Sequence, residues 1–287
     1  ALLTYEEIER VVRVAVGLGI EKVRITGGEP LLRRDVPELV ARLAPIAGIR
    51  DLAMTTNGSH FAPQAASLRA AGLHRISFSL DSLDQENFKR ITGRDGLRSV
   101  LAGIAQAKAL GFAPVKVNAV VIRGLNDHEL ESLAGFARDQ AVSLRFIEFM
   151  PLDSGRAWLR DLVVPGREIL ARLQARFELR PAVSDNKSET AKRWTFADGS
   201  GEIGIIAPVT EAFCGHCNRL RLTADGKIRT CLFSLHEHDL KPLLRGDASN
   251  AELAATLRQI VLGKEERHHI GEPGFHQPER TMSCIGG

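Results

Sequence analysis

The chain has 287 residues, enough for one large α/β domain or a barrel with an appendage, and 44% apolar against 25% charged content suits a globular protein with a sizeable core. A formal net charge of +3 is too small to point to nucleic acid, and no apolar run approaches a membrane span. Four unevenly placed cysteines argue against a disulfide framework and for a reducing, cytoplasmic setting.

Ala1 is not an initiator methionine, so a segment upstream is expected. Thr4 and Glu7 stand at capping-box spacing, and Ile8, Val11, Val12 and Ala15 recur at helical intervals, which predicts a helix to about Leu18. A strand over 22–26 follows, then Gly27-Gly28-Glu29-Pro30 and a helix from about Asp35. Strands at 52–56, 75–80, 115–122 and 144–150 alternate with helices at 63–71, 97–110 and 127–139. That pattern predicts parallel βα units, and a barrel or part-barrel fits better than an open doubly wound sheet. Past residue 150 the alternation stops, which divides the chain into 1–150 and 151–287. The second part reads as a connector at 158–165, a helix at 165–177 and a hairpin of 193–196 with 202–206 about Asp198-Gly199. Helices at 239–244 and 251–262 follow the cysteine-rich stretch described below. His268-His269 reads as a solvated pair, and the terminal Gly286-Gly287 fits either a frayed end or a segment slim enough to thread a narrow pocket.

Several strands end in small or polar residues: Thr26-Gly27-Gly28-Glu29, Thr55-Thr56-Asn57-Gly58 and Ser79-Leu80-Asp81-Ser82. Barrel active sites collect at that rim. Asp81 and Ser82 fit either a ligand role or the capping of a helix before Asp84, and Asn57-Gly58 fits a simple turn. Lys22, Arg24 and Thr26 share one strand face, with Val23 and Ile25 on the other. If the apolar face packs on helices, both cations point inwards and need anionic partners. Lys116 and Asn118 repeat the pattern against Val115 and Val117. An anionic ligand is the favoured partner, with internal pairs to Glu29 or Glu148 as the alternative.

The stretch from Phe213 to Phe233 reads FCGHCNRLRLTADGKIRTCLF and holds Cys214, Cys217 and Cys231 as C-x2-C-x13-C. RLRLT, the turn signal Asp225-Gly226 and KIRT predict a hairpin that folds Cys231 back towards the pair. Three thiolates suit a four-iron cube with one iron open to substrate. A closed zinc site needs a fourth ligand, from His216 or Cys284. Arg219 and Arg221, two apart, are expected on one strand face, suited to an oxyanion or to an ordinary solvated surface.

Taken together, LLTYEEI, KVRITGGEPLLRRD, TTNG, ISFSLDS, PVKVNAVVIRGLND, RFIEFMP, the cysteine hairpin and the terminal IGG resemble the radical S-adenosylmethionine GTP 3′,8-cyclases of molybdenum cofactor biosynthesis over essentially the whole chain. The resemblance implies an incomplete parallel (βα) barrel with a C-terminal α+β extension carrying a second 4Fe-4S cluster. It implies that Cys214, Cys217 and Cys231 hold this cluster and that its open iron takes guanine. It makes Arg219 and Arg221 catalytic and GTP-contacting, joined at the GTP by Lys22, Arg24, Thr55 and Lys116. Gly28, Ser79 and Met150 match the S-adenosylmethionine contacts. An external electron donor, a homodimer and a terminal Gly-Gly reaching into the site are further implications. The family's first cluster uses C-x3-C-x2-C, which these residues lack, so the chain as written is expected to bind GTP without cleaving S-adenosylmethionine. Cys284 reads as a neutral replacement of a small residue. A peptide-modifying radical enzyme with an auxiliary cluster is one alternative, but it gives no reason for arginines just after C-x2-C. A zinc-ribbon module binding nucleic acid is another, and one tyrosine with 5% aromatic content tells against it.

Overall fold

Thr4 opens the first helix, α1 (Tyr5–Gly17), as its spacing predicts. Its hydroxyl accepts the Glu7 N–H at 3.2 Å, while the Glu7 carboxylate accepts the Thr4 N–H at 2.7 Å. The computed structural model describes residues 1–153, 155–183 and 186–285, so the expectation for Gly286-Gly287 lies outside the described residues. The predicted alternation runs through β1 (Lys22–Ile25), α2 (Val36–Leu43), β2 (Asp51–Thr56), α3 (Ala65–Ala70) and β3 (Arg75–Ser79). It continues with α4 (Gln85–Thr92), α5 (Leu97–Ala109), β4 (Val115–Val121), α6 (Leu130–Asp139) and β5 (Ser143–Glu148). Short, polar α4 escapes a periodicity reading. Its cap is Asp84, which accepts the Asn87 N–H at 2.7 Å. Asp81 and Ser82 are not caps: Asp81 accepts the Val120 N–H at 2.7 Å, and the Ser82 hydroxyl donates to Glu129 at 2.7 Å.

Beyond residue 150 come α7 (Gly166–Arg176), β6 (Leu179–Ala182), β7 (Lys192–Phe196) and β8 (Glu202–Ile206). Then follow β9 (Arg221–Leu222), β10 (Lys227–Arg229), β11 (His238–Asp239), α8 (Lys241–Arg245), α9 (Asn250–Leu262) and α10 (Met282–Ile285). The chain divides into two compact units. One comprises Ala1–Thr55, Pro63–Arg75 and Asn218–Gly287, and the other Thr56–Ala62 and Ile76–Cys217.

In the first unit β1 and β2 pair in parallel, while β10 pairs antiparallel with both β9 and β11. The unit's core joins the two ends of the chain: Leu3 and Val11 pack with Ile228, Leu240, Leu253, Leu257 and Ile260. Each such buried aliphatic side chain is worth about 1.5–3 kcal/mol. In the second unit β3, β4, β5 and β8 are parallel neighbours in that order, and β7 and β6 extend the edge antiparallel. The hairpin predicted about Asp198-Gly199 therefore forms, and its second strand prolongs the parallel sheet. Edge-to-face rings of Phe61 and Phe78, 5.0 Å apart, fill the space beside α5, where Gly103 leaves no side chain in the way. Among the described residues no helix is long and apolar enough to cross a membrane.

Candidate active site

One face of the second unit's sheet is polar in a way no single strand announces. Strand register aligns Ser77, Lys116, Ser143 and Glu202 in one row across β3, β4, β5 and β8. The next row on the same face holds Ser79, Asn118, Arg145, Gly204 and Arg193. The opposite face of β4 buries Val115, Val117, Ala119 and Val121. Lys116 thus occupies the face its alternation predicts, half-buried, in the wall of a cavity of about 370 Å³ shared with Arg145, Arg193, Glu189 and Glu202.

Arg145 is a residue the sequence reading missed. Its guanidinium donates to Ser143 and Glu202, both at 3.2 Å, and its side chain is only 9% exposed. Gly204 makes room for it, since a Cβ there would meet Arg145 Nη1 at 2.6 Å. Glu202 also meets Arg193 at 2.6 Å. Burial would raise the Glu202 carboxyl, but hydrogen bonds from Ser143, Arg193 and Arg145 hold it below the usual range. Three cations against Glu189 and Glu202 leave this wall with an excess of positive charge, which suits an anion.

In the first unit Arg24 donates from Nη1 to Thr55 Oγ1 at 3.0 Å, bringing two predicted site residues together across β1 and β2. The expectation that Lys22 and Arg24 are buried fails: both are exposed, because β1 leaves that face accessible. Asp51 is an acidic neighbour of both. Burial would raise the Asp51 carboxyl, but the hydrogen-bonded Arg75 and the nearby charges of Arg24 and Lys22 keep it low. Glu29 accepts the Leu31 N–H at 3.0 Å, and Glu148 is wholly buried among backbone donors.

Gly28 is exposed, and a Cβ added to it would come within 3.3 Å of the Ser283 carbonyl oxygen, a tight approach to the last helix. Ser79 ends β3 beside Asn118, and Met150 lies two residues past β5; both are half-buried at strand carboxyl ends. Asn57-Gly58 is a turn, as its residues indicate, with the Ser59 N–H on Asn57 Oδ1 at 3.0 Å and Gly58 at φ 79°.

A hairpin of β9 and β10 forms. Its loop has three residues: Thr223 N–H donates to the Lys227 carbonyl at 2.8 Å, and Gly226 takes φ 85° as the last loop residue. β9 begins at Arg221, so Arg219 precedes the pleated strand and the shared face is not set by alternation. Arg221 stands opposite Arg229, and Glu237 at 2.6 Å offsets the nearly buried Arg229. Cys214 opens a one-turn 3-10 helix and the Cys217 N–H returns to its carbonyl at 2.9 Å. The pair belongs to the second unit and Cys231 to the first. His268 is not solvated like His269; its ring packs edge-on against Phe233 at 5.1 Å.

No cysteine forms a disulfide, and Cys214, Cys217 and Cys231 are half-buried while Cys284 and His216 are exposed. Among the described residues no three His, Cys, Asp or Glu side chains are gathered as a finished metal site. The donor chemistry nonetheless fits an iron–sulfur centre. Three reduced thiols are the ligands such clusters take, and the Phe233 N–H is already aimed at the Cys231 sulfur at 3.5 Å.

Two family models match the chain: the radical SAM superfamily over residues 1–137 and Molybdenum Cofactor Synthesis C over residues 142–270. A curated GTP 3′,8-cyclase of Mycolicibacterium smegmatis is 48% identical over 294 residues, covering 100% of this chain and 81% of that protein. Those of Streptomyces coelicolor and Rhodopirellula baltica are 46% and 47% identical, again over 100% of this chain and over 84% and 81% of theirs. Among solved structures, Streptococcus suis SuiB bound to S-adenosylmethionine superposes with a TM-score of 0.63 at 16% identity, over 89% of this chain and 61% of that one. At that identity the likeness speaks for the fold, an incomplete parallel (βα) barrel with a C-terminal α+β extension. Neither the peptide-modifying nor the zinc-ribbon alternative accounts for relatives this similar from end to end.

Proposed function

The chain belongs to the GTP 3′,8-cyclase family of radical S-adenosylmethionine enzymes, and from that membership we propose how its residues divide the work of turning GTP into 3′,8-cyclo-7,8-dihydro-GTP for molybdenum cofactor biosynthesis. Cys214, Cys217 and Cys231 would hold a 4Fe-4S cluster, which would bind the guanine ring. Arg219, Arg221, Arg24 and Lys116 grip the triphosphate, with Thr55 and Lys22 beside them. Guanidinium forks suit this task because they meet phosphate oxygens two at a time. The positive wall around Lys116 and Arg145 supports the same role for that face of the sheet. Gly28, Ser79 and Met150 hold S-adenosylmethionine, Gly28 by letting the cofactor's amino-acid head approach the backbone.

When bound, the clusters and S-adenosylmethionine supply the one-electron chemistry that removes the ribose 3′-hydrogen and joins C3′ to C8. The chain's own contribution is positional. Fixing the base at one end and the triphosphate at the other leaves the ribose a single orientation, with C3′ facing C8. The C-x3-C-x2-C of the family's first cluster is not among the 287 residues. The functional division at residue 150, the homodimer, the external electron donor and the cytoplasmic setting belong to the same proposal. GTP, and not a nucleic acid, is the partner.

The observation that carries this reading is C-x2-C-x13-C enclosing Arg219 and Arg221 in a chain 48% identical to a GTP 3′,8-cyclase over its whole length. The test is anaerobic equilibrium dialysis of GTP against the reconstituted protein and its Arg219→Ala/Arg221→Ala double variant. A loss of affinity of about tenfold or more is expected, from two charge-assisted contacts. Unchanged affinity overturns the assignment.

A further inference from the structure

The hairpin's second half is held by side chains that lie outside every motif named so far. Lys264 follows α9, and its ammonium donates to two carbonyls, those of Arg219 at 3.2 Å and of Thr230. One carbonyl precedes β9 and the other follows β10, so a single charge ties the two arms of the hairpin at its open end. Glu265, the next residue, accepts the Thr230 hydroxyl at 2.6 Å. On the far side of Cys231 the Arg229 guanidinium donates to the carbonyls of Leu232, at 3.4 Å, and Ser234. Thr230 and Ser234 are both buried, and the Phe233 ring packs against His268 and Phe275. The backbone on either side of Cys231 is therefore fixed, and its sulfur receives the Phe233 N–H.

We propose that Lys264, with Glu265, is a positioning pair that sets Arg219 and the Cys231 loop in one arrangement, so that the cation gripping the nucleotide and the thiolate holding iron are placed together. The proposal rests on the reading of Arg219 and Cys231 given above. A three-carbon or four-carbon apolar stem could fill the same space, but only a group with several N–H donors answers two carbonyls at once. Lys264 touches neither nucleotide nor iron in this scheme. It acts through the two backbones it joins, in the manner of outer-shell groups around metal ligands.

The test compares the full chain with its Lys264→Met and Lys264→Arg variants after anaerobic reconstitution with iron and sulfide. Three quantities are read: iron bound per chain, the dissociation constant for GTP, and the change that GTP makes in the low-temperature electron paramagnetic resonance spectrum of the reduced cluster. Lys264→Met is expected to weaken GTP by about tenfold or more and to alter the spectral change, while Lys264→Arg keeps both. If the methionine variant does not fold, Lys264→Leu, which also lacks donors, replaces it with the same expectation. A variant that is less stable yet keeps GTP affinity and the spectral change overturns the proposal, leaving Lys264 a structural tie. A wild-type chain that takes up no iron overturns the underlying reading of the thiols, and this inference with it.

Discussion

Burial pushes the Asp81 carboxyl up to about 6, against only the Val120 N–H that bonds it. Folding therefore favours the protonated form. The resulting stability is complete below the ordinary value of 3.8 and is lost as pH rises through about 6. Asp81→Asn removes this dependence while keeping an acceptor for Val120. Between about pH 5 and about pH 7.5, the variant should gain roughly 1 kcal/mol on the wild type, measured by chemical denaturation. A gap that stays constant with pH would contradict the shift. Other residues show how far a local reading reaches. The Thr4–Glu7 cap is legible because both partners lie within one turn. Arg145 is not, because its place depends on Gly204, far along the chain on a neighbouring strand. For Lys22 and Arg24, alternation fixes the strand face and says nothing of what covers it, and both are exposed.

Elements in the second unit are tied by a carboxylate that periodicity marks only as the end of a strand. Glu148, the last residue of β5, is wholly buried and accepts the Gly166 N–H at 2.8 Å, the Val209 N–H at 2.8 Å, the Thr210 N–H at 2.9 Å and the Thr210 hydroxyl. It thereby fixes the start of α7 and the segment after β8 that leads to Cys214. Glu148→Gln sets an amide N–H₂ against these donors. It should cost about 2–4 kcal/mol in urea unfolding, since buried donors lose their acceptor. A cost below about 1 kcal/mol would mean that the site repacks. The hairpin illustrates the same limit at the scale of elements. Asp225-Gly226 announces a turn, and Gly226 does take the left-handed conformation. The three-residue length and the third strand, β11, depend on Leu240 donating to the Gly226 carbonyl at 2.9 Å, a contact made only after folding.

Across the whole molecule, residues from both ends of the chain share one core, with Leu3 and Val11 packed with Leu253, Leu257 and Ile260. Leu257→Ala should destabilise the protein by about 2–5 kcal/mol, the range for a cavity at a buried leucine. Hydrogen exchange should then quicken in α1 as well as α9. Faster exchange confined to α9 would show that the two ends open separately. Most of the helices and strands, their parallel alternation, the C-x2-C-x13-C spacing and the family are legible in the sequence, because helical and strand periods, caps, turns and motif spacing are all encoded within short stretches. Folding in three dimensions is what brings Arg145 beside Lys116 in one cavity wall, sets Glu148 against three backbone groups, and lets Lys264 tie Arg219 to the Cys231 loop. Each of these depends on residues far apart in the chain meeting with hydrogen-bond geometry, and such meetings are fixed by packing, which no local pattern records.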